Sequence, residues 1–328
     1  MAKPPAPDFA PKALLAALRA VAEPTRLRIF ALCQRVELSV SDLTQILGQS
    51  QPRVSRHLKV LCAAEVLERL REGTYAFYRV PTDGIGPALA KALLPLYGGT
   101  ELEIKALEDL KQRRYELASP LSAANGEKLR ALRRYYPDEQ KIDQALLRAL
   151  PVDSVRDLLD IGTGVGHMLE LFGPRVTHAM GIDLSRDMLS LARAKLTLAD
   201  LQNCRVQQAD MYQLPLPSES VDAVTIHHVL HFAERPAQVI AEAARMLRAS
   251  GRLVIVDFVE HDVQKIRDGF QHRWPGFQPS AVQAWCEEAG LQVMDLDIIH
   301  DPSKPLKIFI LTAQRSQKTS PRKRPKAA

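Results

Sequence analysis

One stretch limits what this chain can fold into more than any other: Asp160 Ile161 Gly162 Thr163 Gly164 Val165 Gly166. It follows an apolar, strand-like run over 155–161 and precedes Met168 and Leu171, which are spaced as on a helix. Its glycines therefore occupy a strand-to-helix turn whose backbone a ligand can approach closely. From Val155 onward the two patterns alternate: strand 155–162, a helix through Met168 and Leu171, strand 178–183, a helix through Met188 and Leu191, then strands over 204–210 and 221–229. A helix over 236–247, a strand over 252–258, a helix over 279–289 and two apolar runs, 291–299 and 306–314, complete the series. That order predicts an α/β domain with a mostly parallel sheet covered by helices and a terminal antiparallel hairpin at the sheet edge. A dinucleotide fingerprint requires a third glycine three residues after Gly164; that position is His167, so NAD and FAD fit poorly.

An acid followed by alternating glycines resembles motif I of the class I S-adenosylmethionine-dependent methyltransferases, and the likeness extends over roughly residues 130–314, implying a Rossmann-like domain. The resemblance assigns Asp160, Gly162, Thr163, Gly164 and Gly166 to the cofactor loop. It assigns Asp183, followed by Leu184, to the ribose hydroxyls, which two carboxylate oxygens can receive together. Asp210 is expected at the adenine amino group with Met211 covering the ring, and His227 joins the same set. Asp222 matches the motif that begins the fourth strand and leads into the active-site lip. Ala249 Ser250 Gly251 departs from the family's Pro Gly Gly in a turn.

Such a site displaces a methyl group from a sulfonium onto a nucleophile held in line behind it, and positioning carries most of the catalysis. Where the acceptor must lose a proton, the candidate bases are His228, His231 and His261, with Glu260 and His272 close by in sequence. His227 and His231 are four apart but sit at a strand exit without the glutamate of an HExxH helix, so no metal is expected.

The first hundred residues read differently. Leu14, Leu15, Leu18 and Val21, then Leu27, Ile29, Phe30 and Leu32, mark two helices separated by Glu23 and Pro24. Ser39 or Ser41 can cap a short helix carrying Leu43, Ile46 and Leu47, and Gly48 ends it. Ser50 can cap the next, with Pro52 in its first turn and Val54, Leu58 and Leu61 at i, i+4, i+7. Runs over 67–70 and 75–80 flank Glu72 and Gly73 as a hairpin. This helix-turn-helix with its wing resembles the ArsR/SmtB family of bacterial repressors over residues 10–97. The resemblance places Ser50, Gln51, Arg53, Ser55, Arg56, His57 and Lys59 on a recognition helix in the major groove of double-stranded operator DNA, with Arg69, Arg71 and Tyr75 on the wing near phosphates. Metal-sensing members carry two cysteines where this chain reads Glu37 Leu38 Ser39 Val40 Ser41 Asp42 Leu43. Hydroxyls are poor ligands for soft metals, so arsenite or zinc sensing there is not expected.

Charge distribution agrees with this division. Residues 1–97 hold 13 Lys and Arg against 8 Asp and Glu, whereas 98–314 hold 25 against 30, and 315–328 hold six bases and no acid. Polyanion contact thus belongs to the ends. The expected organisation is a DNA-binding domain at 10–97, a helical linker at 98–129 with flexible breaks at Gly98, Gly99 and 119–126, a methyltransferase domain at 130–314 and a basic disordered tail at 315–328. Cys33, Cys62, Cys204 and Cys286 show no CxxC spacing and read as ordinary thiols, which also argues against an arsenic methyltransferase. No secretory signal or membrane-length apolar run is readable, so a soluble, cytoplasmic homodimer is expected. Two functions stay open: a regulator fused to an enzyme that methylates a small-molecule acceptor, and a non-enzymatic repressor that uses the methyltransferase fold to sense S-adenosylmethionine or S-adenosylhomocysteine.

Overall fold

Proline and glycine punctuate the N-terminal unit. In the computed structural model, which describes residues 9–72, 75–114, 116, 134–263 and 272–316, the chain divides into two compact units, 1–117 and 118–328. Helix α1 (Pro11–Val21) stops just before Glu23, whose carboxylate accepts the Arg26 N–H at 2.9 Å and caps α2 (Pro24–Arg35). After the short strand β1 (Leu38–Ser39), helix α3 (Val40–Leu47) begins on a capping box: Ser39 Oγ accepts the Asp42 N–H and Asp42 accepts the Ser39 N–H. It ends at Gly48, whose φ of 63° lies in the left-handed region that glycine reaches without penalty. Helix α4 (Gln51–Ala63) follows, then β2 (Glu68–Glu72) and β3 (Tyr75–Arg79), paired antiparallel with β1 on the far side of β3. Val54, Leu58 and Leu61 are at most 1% exposed; removing the Leu58 side chain would cost ~2–5 kcal/mol.

Helices α5 (Ile85–Leu93) and α6 (101–114) complete this unit. The latter falls within the stretch expected to be linker, yet Leu107 and Leu110 are buried in the head's core, and Arg114 donates to the Glu37 carbonyl and the Asp42 carboxylate. These residues are therefore structural parts of the head. The break expected at 119–126 lies outside the described residues.

Among the described residues, the second unit contains a seven-stranded sheet: β4 (Asp157–Ile161), β5 (His178–Asp183), β6 (Cys204–Gln208), β7 (Val221–His227), β8 (Leu247–Phe258), β9 (Leu291–Ile299) and β10 (Ile308–Arg315). Its spatial order is β6-β5-β4-β7-β8-β10-β9, with the first five parallel and β10 antiparallel to both its neighbours. Alternate residues point to opposite faces. Leu158, Ala223 and Val254 pack on one side with α7 (Glu139–Ala149), α8 (His167–Phe172) and α9 (Arg186–Leu198). Leu159, Val224 and Leu253 pack on the other with α10 (Pro236–Met246) and α11 (Pro279–Glu288). The expected hairpin is present, but only β9 is an edge strand; β10 lies inside the sheet. Arg315, expected to open the tail, is the last residue of β10 and pairs with Glu219 at 2.9 Å. Ser250, with φ 63°, lies in the irregularity where β8 shifts register against β7. No helix among the described residues is long and apolar enough to cross a membrane.

Candidate functional site

The loop over 162–166 leaves β4 at the carboxyl edge of the sheet, where ligands of open α/β sheets bind. Gly162 has φ 73°, and a Cβ there would lie 2.4 Å from Val229 Cγ2, so the position admits glycine alone without rearrangement. Gly164 also has positive φ, but a Cβ there would meet nothing within 4 Å; its face is open to a ligand. Asp183, ending the neighbouring β5, receives the Gly164 N–H at 2.9 Å on one oxygen and the Ser185 N–H at 2.8 Å on the other. A carboxylate offers about four lone-pair sites, so two remain for hydroxyls. Asp210 is exposed and accepts the Tyr212 N–H at 3.0 Å, Met211 is half-buried beside it, and Leu184 is 70% exposed.

Asp160 belongs to β4 itself, just ahead of the loop. It is 1% exposed and accepts the Thr225 hydroxyl at 2.7 Å. Burial pushes its carboxyl up to about 6, with the Thr225 hydroxyl partly offsetting the rise. It braces the loop from beneath, and Thr163, 6% exposed, is buried with it. Asp222 lies at the opposite, amino end of the strands, where it accepts the Arg156 and Asp157 N–H groups and, with Asp157, pairs with Arg248. It ties strand ends together at the start of the strand whose far end leads into the lip.

The carboxyl ends of β7 and β8 gather the histidines. His228 adopts φ 54°, unusual for a side chain of its size, and its N–H donates to the Val256 carbonyl at 2.8 Å. Its ring lies 4.5 Å from His227, 4.6 Å from Phe258, 5.7 Å from Tyr136 and 6.3 Å from His231. His231, in a single 3-10 turn over Leu230–Phe232, is 1% exposed, and its Nδ1 is 2.7 Å from Asp257. The His272 ring lies 4.1 Å from His231, tilted by 41°. Burial holds His227 and His228 well below the usual imidazole range, with neighbouring imidazoles adding to the effect, and lowers His272 to about 4. These three rings are uncharged at neutral pH. His261 stands 6.3 Å from Phe258, at the margin; Glu260 is exposed and accepts from Gln278 at 2.6 Å, outside the cluster. The residue that sequence reading missed is Asp257. The available signal was a lone acid in the apolar run over 253–258, since a buried carboxylate demands a partner.

In the head, Gln51, Arg53, Ser55, Arg56 and Lys59 line the exposed face of α4, with Ser50 exposed ahead of it. Arg69 and Arg71 are exposed two residues apart on β2 and share one face. Tyr75 opens β3, but its side chain lies outside the described residues. His57 is the exception: its Nδ1 is 3.5 Å from Glu23, and burial lowers its pKa although Glu23 opposes the shift. It braces α4 against the start of α2 and does not join the outer face.

Comparison with known proteins matches residues 23–69 to the family model "Bacterial regulatory protein, arsR family" and residues 159–255 to the family model "Methyltransferase domain". Over 100 residues the chain is 33% identical to the uncharacterized methyltransferase YcgJ of Bacillus subtilis, covering 30% of this chain and 40% of that protein. Over 154 residues it is 29% identical to demethylmenaquinone methyltransferase of Listeria monocytogenes, covering 44% of this chain and 65% of the relative. Over 148 residues it is 28% identical to arsenite methyltransferase of Halobacterium salinarum, covering 42% and 38%. The chain thus spans less than two thirds of the length of each of these relatives. The match to an arsR-family model thus falls in the first unit and the match to a methyltransferase model in the second, on a Rossmann-like, mostly parallel sheet.

Proposed function

We propose that this protein is a DNA-binding transcriptional regulator whose second unit transfers a methyl group from S-adenosylmethionine to a small-molecule acceptor. The observation that carries the reading is the pairing of the open glycine loop with Asp183, next to a lip of uncharged imidazoles. When bound, S-adenosylmethionine supplies an electrophilic methyl group. Asp183 fixes the loop through Gly164 and offers its remaining lone pairs to the ribose hydroxyls, while Asp210, Met211, Leu184 and His227 are the proposed adenine-side residues. Asp160 and Thr163 keep the loop in place from below. His228 is the proposed proton acceptor, because an uncharged imidazole has a lone pair to offer. His231, oriented by Asp257, and His261 would shape the acceptor's approach, and Phe258 and Tyr136 would keep water away.

Ser50, Gln51, Arg53, Ser55, Arg56 and Lys59 are the proposed operator-reading residues, with Arg71 and Tyr75 near phosphates; a cytoplasmic homodimer on paired half-sites suits a reader of this kind. A second reading, a repressor that senses S-adenosylmethionine or S-adenosylhomocysteine without turnover, draws support from Ser39. That hydroxyl stands where a metal-sensing relative has a thiol and is occupied by Asp42 at 2.6 Å, so the head needs another input. Incubating the purified chain with methyl-labelled S-adenosylmethionine and a cell extract decides between them. Transfer of label to a small molecule supports the enzyme, and ligand binding without transfer supports the sensor.

A further inference from the structure

Two imidazoles and a carboxylate converge where β7 and β8 end. His228, His231 and Asp257 each offer one ligand atom, and these atoms lie within 4.8 Å of one another. Asp257 is fully buried and His231 is 1% exposed, so solvent cannot satisfy their polar atoms. Asp257 is committed to its surroundings: it takes His231 Nδ1 at 2.7 Å and the Phe258 N–H at 2.8 Å on one oxygen, and the His231 N–H at 3.3 Å on the other. His228 is the odd member. Both its ring nitrogens are shielded from solvent, and neither has a hydrogen-bond partner among the described residues. Its backbone is also held in the left-handed region, a conformation that persists only where the surroundings enforce it. An imidazole presented in this way, beside a carboxylate-bound imidazole, lacks a partner that accepts an electron pair.

We propose that His228, His231 and Asp257 form a binding site for one divalent transition-metal ion of the zinc class. Two nitrogens and one oxygen suit zinc, cobalt or ferrous ion better than magnesium or calcium, which prefer all-oxygen shells. Three protein ligands leave a coordination position open, as in catalytic rather than structural sites. With metal–ligand bonds of ~2.0 Å the donors of a tetrahedral site stand ~3.3 Å apart, so on binding the 2.7 Å His231–Asp257 pair opens and the remaining separations, within 4.8 Å, close by side-chain rotation. The ion would replace the proton shared by His231 and Asp257. Phe258, 4.6 Å from His228 and 5.2 Å from His231, supplies an apolar wall that limits competing water. The ligands come from a strand exit, a single turn and the neighbouring strand, and no linear motif describes that arrangement; the expectation of no metal rested on one. The inference rests on the acceptor-site reading above only for the ion's role: with the ion bound, His228 would serve as a ligand in place of the proton-accepting role, and the open position beside the glycine loop would hold the acceptor's nucleophilic atom and favour its loss of a proton.

The test is a Co2+ titration of the full chain after chelation. The expected result is visible d–d absorption that saturates at one ion per chain and is bleached by Zn2+. His228→Gly, which keeps the left-handed backbone at no steric cost, should weaken binding ~100-fold or more, as should Asp257→Asn. His178→Ala should leave it unchanged, because His178 pairs with Asp157 at the opposite end of the sheet. Where a variant fails to fold, X-ray absorption of the zinc-loaded wild type should show two imidazole ligands. No saturable uptake by the wild type, wild-type uptake in both folded variants, or a zinc spectrum without two imidazoles overturns the site. Calorimetry with S-adenosylhomocysteine on the same sample separates the two readings. Nucleoside binding without cobalt uptake removes only the metal, and cobalt uptake without nucleoside binding removes only the methyltransferase reading.

Discussion

Replacing Asp183 with alanine removes a group that serves two structural loops and, on the proposed reading, the ligand. Its oxygens hold the Gly164 and Ser185 N–H groups at 2.9 and 2.8 Å. Hydrogen bonds to a charged group contribute ~1.5–3 kcal/mol net when buried. Asp183 is half-exposed, so values at the lower end apply, and water can take over the two backbone donors after truncation. The expected loss of ligand affinity is ~2 kcal/mol, about 30-fold in Kd, with a smaller loss of stability of ~1 kcal/mol. Asp183→Asn, which keeps an oxygen but not the charge, should fall between alanine and wild type. The assay is calorimetric titration with S-adenosylhomocysteine, alongside thermal melts of each variant. Unchanged affinity in a folded Asp183→Ala protein would refute the reasoning and remove this residue from the ribose site.

Asp160 makes stability depend on pH in a defined direction. Its folded value of about 6 stands above the ordinary 3.8, so the native state holds the proton more tightly. Its contribution is therefore full below about pH 4, is lost as pH rises to about 6, and is level beyond, a change of ~3 kcal/mol. Asp160→Asn should abolish that component; a wild-type-minus-variant difference in urea stability that stays flat from pH 4 to 6 contradicts it. If the two units communicate, S-adenosylmethionine or S-adenosylhomocysteine should shift operator affinity 5- to 150-fold, for a coupling of ~1–3 kcal/mol. DNA titrations at one salt concentration test this, and three superimposable curves would sink it. The protein should sediment as a dimer at micromolar concentration through residues 10–22 and 83–97, a stretch that presents Leu14, Leu15, Leu18 and Leu96 to solvent; a monomer with and without DNA would refute that.

Much of this architecture was legible because each device is local. Gly48 ends α3, Ser39 and Asp42 start it, and the glycines of 162–166 mark a turn only such residues can make. What escaped the sequence was three-dimensional placement. Asp222 begins its strand as the motif implies, but a linear pattern does not reveal that it is tied there to Arg248 and to the start of the neighbouring strand. His57 sits among exposed donors on α4, yet its place on the helix turns it toward Glu23. His227 and His231 looked like the pair to consider, whereas the backbone reversal at His228 and the neighbouring β8 bring His228, His231 and Asp257 together. Residues 101–114 read as linker because an amphipathic helix does not announce which core receives it.

The position of β10 has a consequence for biosynthesis. Strand β9 pairs with β10, and β8 takes β10 as its second neighbour, so the sheet's last two interfaces wait for residues 308–315. The head's core ends near residue 114, about 200 residues earlier, a delay of roughly 10–40 s at 5–20 residues per second. The nascent chain thus carries a complete head while β8 still presents an unpaired edge that is apolar over Leu253–Val256. Chains stopped before Ile308 should fold their heads and yet aggregate or recruit chaperones through that edge, which makes the final strand the step that commits the second unit.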